Sequence, residues 1–255
     1  MKFSVIIPTY YRNEMLARAV EGVYNQTYKD YEIIIIDDSK DMHAAETVEG
    51  FKKTYKEIAG DIHYLSSGGI KQGGARNMGF KKSKGDLIAI LDDDDLWVPD
   101  KLQTEFDVLK KFDFNVVVYG GRTLHDESGK KIGEYIPKYD RLAPHMIKLF
   151  NYVAFPALAF HRSAFDEVGY LDESLSTHED WDFLNRLALK YKFVPIKKVL
   201  AKIFRHPNNR DKEHFAVWEN DKLEVQSRFK KHWTLLTNIL YFMRQFKLKL
   251  QGRKY

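Results

Sequence analysis

The sequence predicts an α/β chain organised on a mostly parallel sheet with helices on both faces. Short, nearly continuous apolar runs at 3–7, 31–36, 62–66 and 87–91 read as strands buried on both sides. Helix-length stretches at 13–26, 41–58 and 74–84 separate them, so strand and helix alternate as βαβ units do. The residues closing these runs are polar, as befits strands whose carboxyl ends line a ligand crevice.

Each strand end then points to the same crevice. The first is followed by Pro8-Thr9-Tyr10, the second by Asp37-Asp38-Ser39, the third by Ser67-Gly68-Gly69, and the fourth by Asp92-Asp93-Asp94-Asp95. Beyond residue 112 the pattern loosens. Strands are predicted at 115–119, 131–135 and 157–160, and helices at 179–191 and 211–228. The expected organisation is one domain over 1–210, with halves 1–110 and 111–210, followed by a helical extension over 211–255.

Composition narrows the function. With 44% hydrophobic and 14% aromatic residues in 255, the chain is long and apolar enough for a full core. The absence of cysteine excludes thiol catalysis, disulfides and cysteine-bound zinc. The net charge of +5 is concentrated in the tail, because 229–255 holds seven Lys/Arg and no Asp or Glu. Removing those seven from 41 leaves 34 basic against 36 acidic residues, which does not describe a nucleic-acid-binding domain. The apolar run before Pro8 is too short for a signal peptide, and no stretch reaches 18 uninterrupted apolar residues. The expected location is the cytoplasm, soluble or peripheral on the inner face of the membrane.

Four adjacent carboxylates after a buried strand repel one another unless a cation sits among them, and an all-oxygen cluster suits Mg²⁺ or Mn²⁺. A solvated acidic loop is the plain alternative. The stretch Gly68 to Gly79 reads as a glycine-rich loop entering a helix, with Arg76 on its first turn positioned to pair with phosphate. It matches neither dinucleotide nor P-loop order, and a flexible turn would also explain it. Asp37-Asp38 fits either turn chemistry or recognition of a base or ribose. His178-Glu179-Asp180-Trp181 opens a helix, where the carboxylates serve as dipole partners or as a general base. His206 is the one histidine considered as a metal or diphosphate contact.

In their order, five segments resemble glycosyltransferase family 2, inverting enzymes of the Rossmann-like GT-A fold. They are Val5-Ile6-Ile7-Pro8-Thr9-Tyr10, Ile36-Asp37-Asp38-Ser39, Gly74-Ala75-Arg76-Asn77-Met78-Gly79, Leu91 through Leu102 with its four aspartates, and Glu179-Asp180-Trp181-Asp182-Phe183. The resemblance is close over about 3–110, thinner to 210 and absent in the tail.

It implies a nucleotide-sugar donor, with Pro8, Thr9, Tyr10 and Asp38 toward the base and Arg76 near base and diphosphate. Asp92 and Asp93 would meet the donor, Asp92 at the ribose. Asp94 would bind Mn²⁺ or Mg²⁺, with His206 as a further ligand. Asp180, with Glu179 beside it, would be the catalytic base. UDP is the first expectation for the donor, and the acceptor would be a glycan or lipid-linked hydroxyl in polysaccharide or cell-envelope assembly. The processive Gln-x-x-Arg-Trp element is missing, which favours transfer of a single sugar. The rival readings are a non-catalytic sugar-nucleotide-binding protein of the same fold and a nucleotidyltransferase. Residues 229–250 space apolar and basic residues as an amphipathic helix, suited either to an anionic membrane or to covering the protein's own core or a dimer partner.

Overall fold

The computed structural model describes residues 1–137, 143–205 and 215–250. In chain order the strands are β1 (Phe3–Thr9), β2 (Tyr31–Asp37), β3 (Ile62–Ser66), β4 (Leu87–Ile90), β5 (Leu96–Trp97), β6 (Val116–His125), β7 (Lys131–Tyr135), β8 (Leu158–His161) and β9 (Lys192–Phe204). The helices are α1 (Asn13–Tyr24), α2 (Ala45–Thr54), α3 (Lys71–Lys82), α4 (Lys101–Lys110), α5 (Ala143–Leu149), α6 (Ala164–Val168), α7 (Glu179–Lys190), α8 (Phe215–Lys230) and α9 (Leu235–Leu250).

All the strands join one sheet in the order β3-β2-β1-β4-β8-β6-β9-β5, with β7 added on β6. The first half has the expected parallel pairing, β1 with β2 and β4, and β2 with β3. Past β4 the sheet turns mixed: β8 is antiparallel to both β4 and β6, while β9 runs parallel to β6. Alternate side chains of β1, β2 and β4 enter opposite cores. Val5, Ile33 and Ala89 pack on one face, and Ile6, Ile34 and Ile88 on the other. That is why these strands read as unbroken apolar runs.

The face carrying Val5 is covered by α1 through Leu16, Ala19, Val20 and Val23, the stripe expected of a helix on a sheet. On the other face α3 lies close to β1 and β2. A Cβ at Gly79 would sit 2.7 Å from both Ile36 Cδ1 and Ile6 Cγ2, so this glycine sets the helix-to-sheet distance. The glycine-rich segment is therefore mostly helix: α3 starts at Lys71, and only Gly68 and Gly69 form a turn, at φ +73° and +91°. The long β9 and the helices α4 and α5 had no counterpart among the elements expected from sequence.

Candidate active site

Where β1 and β4 part, the sheet opens. They pair as far as Ile6 opposite Ile90, whereas β1 stays with β2 to Thr9 opposite Asp37. Pro8, lacking an N–H, falls in the part of β1 already free of β4. A cavity of about 280 Å³ lies beyond these strand ends. It is lined by Arg76, Asp92, Asp95, Asn151, Phe155 and Asp180, and also by Arg122 and Arg205.

The four aspartates occupy four environments. Asp93 is buried and accepts hydrogen bonds from Thr9 Oγ1 at 2.8 Å and Arg12 Nη1 at 3.3 Å. Burial and the neighbouring Asp94 raise its pKa to about 6, against the pull of Thr9 and Arg12. Asp95 is buried too and accepts the Phe204 N–H at 3.0 Å; burial, then Asp92 and Asp94, push its pKa well up. Asp92 and Asp94 keep side-chain exposures of 24% and 19%. Asp92 accepts from Arg76 Nη2 at 2.5 Å, and Asp94 from Arg12 Nη1 at 2.9 Å. The repulsion is thus relieved by two arginines and by burial that favours the protonated form.

Asp92 and Asp94 are thus the partly exposed aspartates of the four, while Asp92 and Asp95 line the cavity. Among the described residues no three His, Asp or Glu side chains converge as a metal cage. Mg²⁺ and Mn²⁺ do not require one, since one or two carboxylates plus substrate phosphates and water usually hold such an ion. The donor set fits a cation bound together with a diphosphate.

Arg76 joins the two halves of the sheet. Buried on α3, it donates to Asp92 after β4 and, at 2.9 Å, to Glu179 Oε1 at the start of α7, with its guanidinium 5.2 Å from the centroid of Phe155. Its Nε has no hydrogen-bond partner among the described residues. Burial raises the Glu179 pKa above the usual carboxylate range; Arg76 opposes this and Asp180 adds to it. Glu179, buried and paired with Arg76, holds that guanidinium in place. Asp180, the next residue, is partly exposed and faces the cavity, accepting from Asn151 Nδ2 at 2.7 Å.

Pro8 and Thr9 are buried inside β1, where Thr9 Oγ1 donates to Asp93. Asp37 does carry out turn chemistry, accepting from the N–H groups of Ser39 and Ala44 and from Tyr64 Oη. Asp38 Oδ1 accepts from Ser67 Oγ at 2.5 Å and the Ile70 N–H at 2.8 Å, fastening the glycine turn to β2. Tyr10 stands half exposed at the mouth and edge-on to Tyr11. His206 lies outside the described residues.

Sequence reasoning missed Arg12, Asn151, Phe155, Arg122 and Arg205. Arg12 was within reach, since it stands three residues past β1 on the crevice side. The others come from the second half, where only the folded chain brings them to Asp180.

Comparison with known proteins gives the family and the fold. A model for Glycosyl transferase family 2 matches residues 4–169. The fold is that of a GT-A glycosyltransferase, and the chain belongs to glycosyl transferase family 2. It is 31% identical over 241 residues to an uncharacterized glycosyltransferase of Rickettsia conorii, covering 85% of this chain and 37% of the relative. An uncharacterized glycosyltransferase of Bacillus subtilis is 30% identical, covering 78% and 74%. The amylovoran biosynthesis glycosyltransferase AmsB of Erwinia amylovora is 28% identical, covering 79% and 69%. Among solved structures, S. aureus TarS in complex with UDP-GlcNAc superposes with a TM-score of 0.63 at 16% identity, over 88% of this chain and 66% of that one. The mannosyltransferase PcManGT of Pyrobaculum calidifontis, in complex with GDP-Man and Mn²⁺, gives 0.61 at 17%, over 86% and 60%.

Proposed function

We propose that this glycosyltransferase moves one sugar from a nucleoside-diphosphate sugar to a hydroxyl of a glycan or lipid-linked acceptor, with inversion at the anomeric carbon. The observation that carries the reading is Asp180: a partly exposed carboxylate, oriented by Asn151, in the same cavity as Asp92 and Arg76. In this reading 1–110 forms the donor half, 111–210 the acceptor half and 211–255 an appended segment.

The acceptor oxygen attacks the anomeric carbon from the face opposite the diphosphate while Asp180 takes its proton. The bond from the anomeric carbon to the diphosphate oxygen breaks, and the nucleoside diphosphate leaves with that electron pair. Asn151 fixes the Asp180 carboxylate, and Glu179 with Asp92 fixes Arg76, whose cation stands beside the developing negative charge. Asp94, with Asp92 beside it, would hold Mn²⁺ or Mg²⁺, which would supply Lewis-acid stabilisation of the leaving diphosphate. Proteins of this fold hold UDP-GlcNAc and GDP-Man, and in this reading Tyr10 and Asp38 meet the donor base, with UDP as the first choice.

Asp180→Asn lowers kcat by about 10²–10⁴-fold and leaves donor affinity unchanged, because only proton transfer is lost. Asp94→Ala instead weakens Mn²⁺-dependent donor binding. Steady-state kinetics with titration calorimetry separates the two, and normal turnover by Asp180→Asn would place the base elsewhere.

A further inference from the structure

The helix α9 is mounted with its apolar side outward. Its inner face rests on α5 through polar contacts: Thr237 is fully buried, with Oγ1 2.9 Å from His145 Nδ1 and 3.0 Å from Thr234 Oγ1. Lys148 Nζ on α5 donates to the His232 carbonyl at 3.0 Å. On the opposite side Leu235, Leu236, Ile239, Phe242 and Met243 face water, with exposures of 78% at Leu235, 69% at Phe242 and 64% at Met243. At 3.6 residues per turn these five span an arc of about 120°. Covering the protein's own core therefore does not explain these five residues, and a contiguous exposed patch of this kind marks an interaction site.

Charge selects the occupant. The stretch 229–255 carries Lys230, Lys231, Arg244, Lys247, Lys249, Arg253 and Lys254 with no acidic residue. A second copy docked symmetrically on this face would bring two such tails together and repel. An anionic bilayer satisfies both features, since amphipathic helices sink their apolar face into the headgroup and acyl boundary while Lys/Arg meet lipid phosphates. Among the described residues no helix is long and apolar enough to cross a membrane, so the contact is with the surface.

We propose that the outward face of α9 docks this enzyme on an anionic lipid bilayer. The mount has a consequence for the site. α5 ends at Leu149, two residues before Asn151, and its Ile147 carbonyl accepts the indole N–H of Trp181, the neighbour of Asp180. Docking through α9 therefore holds the acceptor side of the cavity in a set orientation to the lipid surface. The inference does not depend on the donor or base assigned above.

The test uses the full chain, sedimented with phosphatidylglycerol-containing vesicles and with pure phosphatidylcholine vesicles. The protein pellets with the first, stays in solution with the second, and is released by added NaCl. Phe242→Glu/Met243→Glu, at exposed positions, lowers partitioning by at least about tenfold with an unchanged melting curve, because each large apolar side chain withdrawn from lipid contributes that factor or more. Lys230→Glu/Lys231→Glu weakens binding to the anionic vesicles as well. No pelleting, equal pelleting with both vesicles, or undiminished pelleting of the Phe242/Met243 variant overturns the proposal. So does a dimer in sedimentation equilibrium that this variant dissociates while neither form binds vesicles, which makes a second copy the occupant.

Discussion

Arg76 shows how one residue sets the crevice. It is buried with two carboxylates around it, and their charges hold it firmly protonated against the cost of burial. Removing the cation leaves Glu179 buried without its partner. Arg76→Met should therefore destabilise the fold by about 3–5 kcal/mol, measured by urea unfolding, and should also reduce donor binding. Glu32 offers a residue-scale test by pH. Burial raises its pKa, but hydrogen bonds from Ser4 Oγ and from the N–H groups of Lys84 and Gly85 outweigh this, and His63 helps, so the folded value lies below the ordinary one. The carboxylate contributes stability above the unfolded value near 4.5 and loses that contribution as pH falls through the lower folded value. The stability gap between wild type and Glu32→Gln should narrow as pH falls below the unfolded value near 4.5 and through the lower folded value; a gap that goes on widening over that range contradicts the assignment.

At the scale of elements, the strand-end aspartates are backed by the helix on their C-terminal side. After β5 the chain enters α4, whose Lys101 Nζ pairs with Glu105 Oε2 at 2.6 Å and stands 4.0 Å from the centroid of the Trp97 ring, both charges being fully buried. Burial lowers the Lys101 pKa and raises that of Glu105, each opposed by the other's charge. Breaking such a pair from one side strands a charge, whereas replacing both sides with apolar groups does not. Lys101→Met should cost about 3–5 kcal/mol, and Lys101→Met/Glu105→Leu should recover most of it. A double-mutant cycle without coupling would show that the pair does not act as a unit. The glycines of α3 belong to this scale too. Gly79 serves close packing of α3 on β1 and β2, and that packing brings Arg76 to the crevice.

Over the whole molecule, the site joins a parallel half that carries the aspartates to a mixed half that carries Asp180, Asn151 and Phe155. A ligand spanning the crevice binds only the folded chain, so it should raise stability by mass action. A nucleoside diphosphate at 100 times its Kd adds about 2.7 kcal/mol, read as a rise in melting temperature that requires Mn²⁺ and is lost in Asp94→Ala. No shift with UDP, GDP, dTDP or CMP, with or without Mn²⁺, would contradict the donor site. What the sequence determined by itself was the first half: β1, β2, β3 and β4 are apolar runs because both their faces are buried, and each ends in polar residues because each end opens on the crevice. Asp180 was legible because it begins a helix beside a family-like Trp-Asp-Phe run. Tertiary structure alone decided the surroundings of each carboxylate. Asp92, Asp93, Asp94 and Asp95 look equivalent in sequence and differ through Thr9, Arg12, Arg76 and the Phe204 N–H, as Glu179 and Asp180 differ through Arg76 and Asn151. It alone decided, too, that α9 turns its apolar arc to water, because periodicity identifies a helix with two faces and only packing against α5 chooses which of them is left outside.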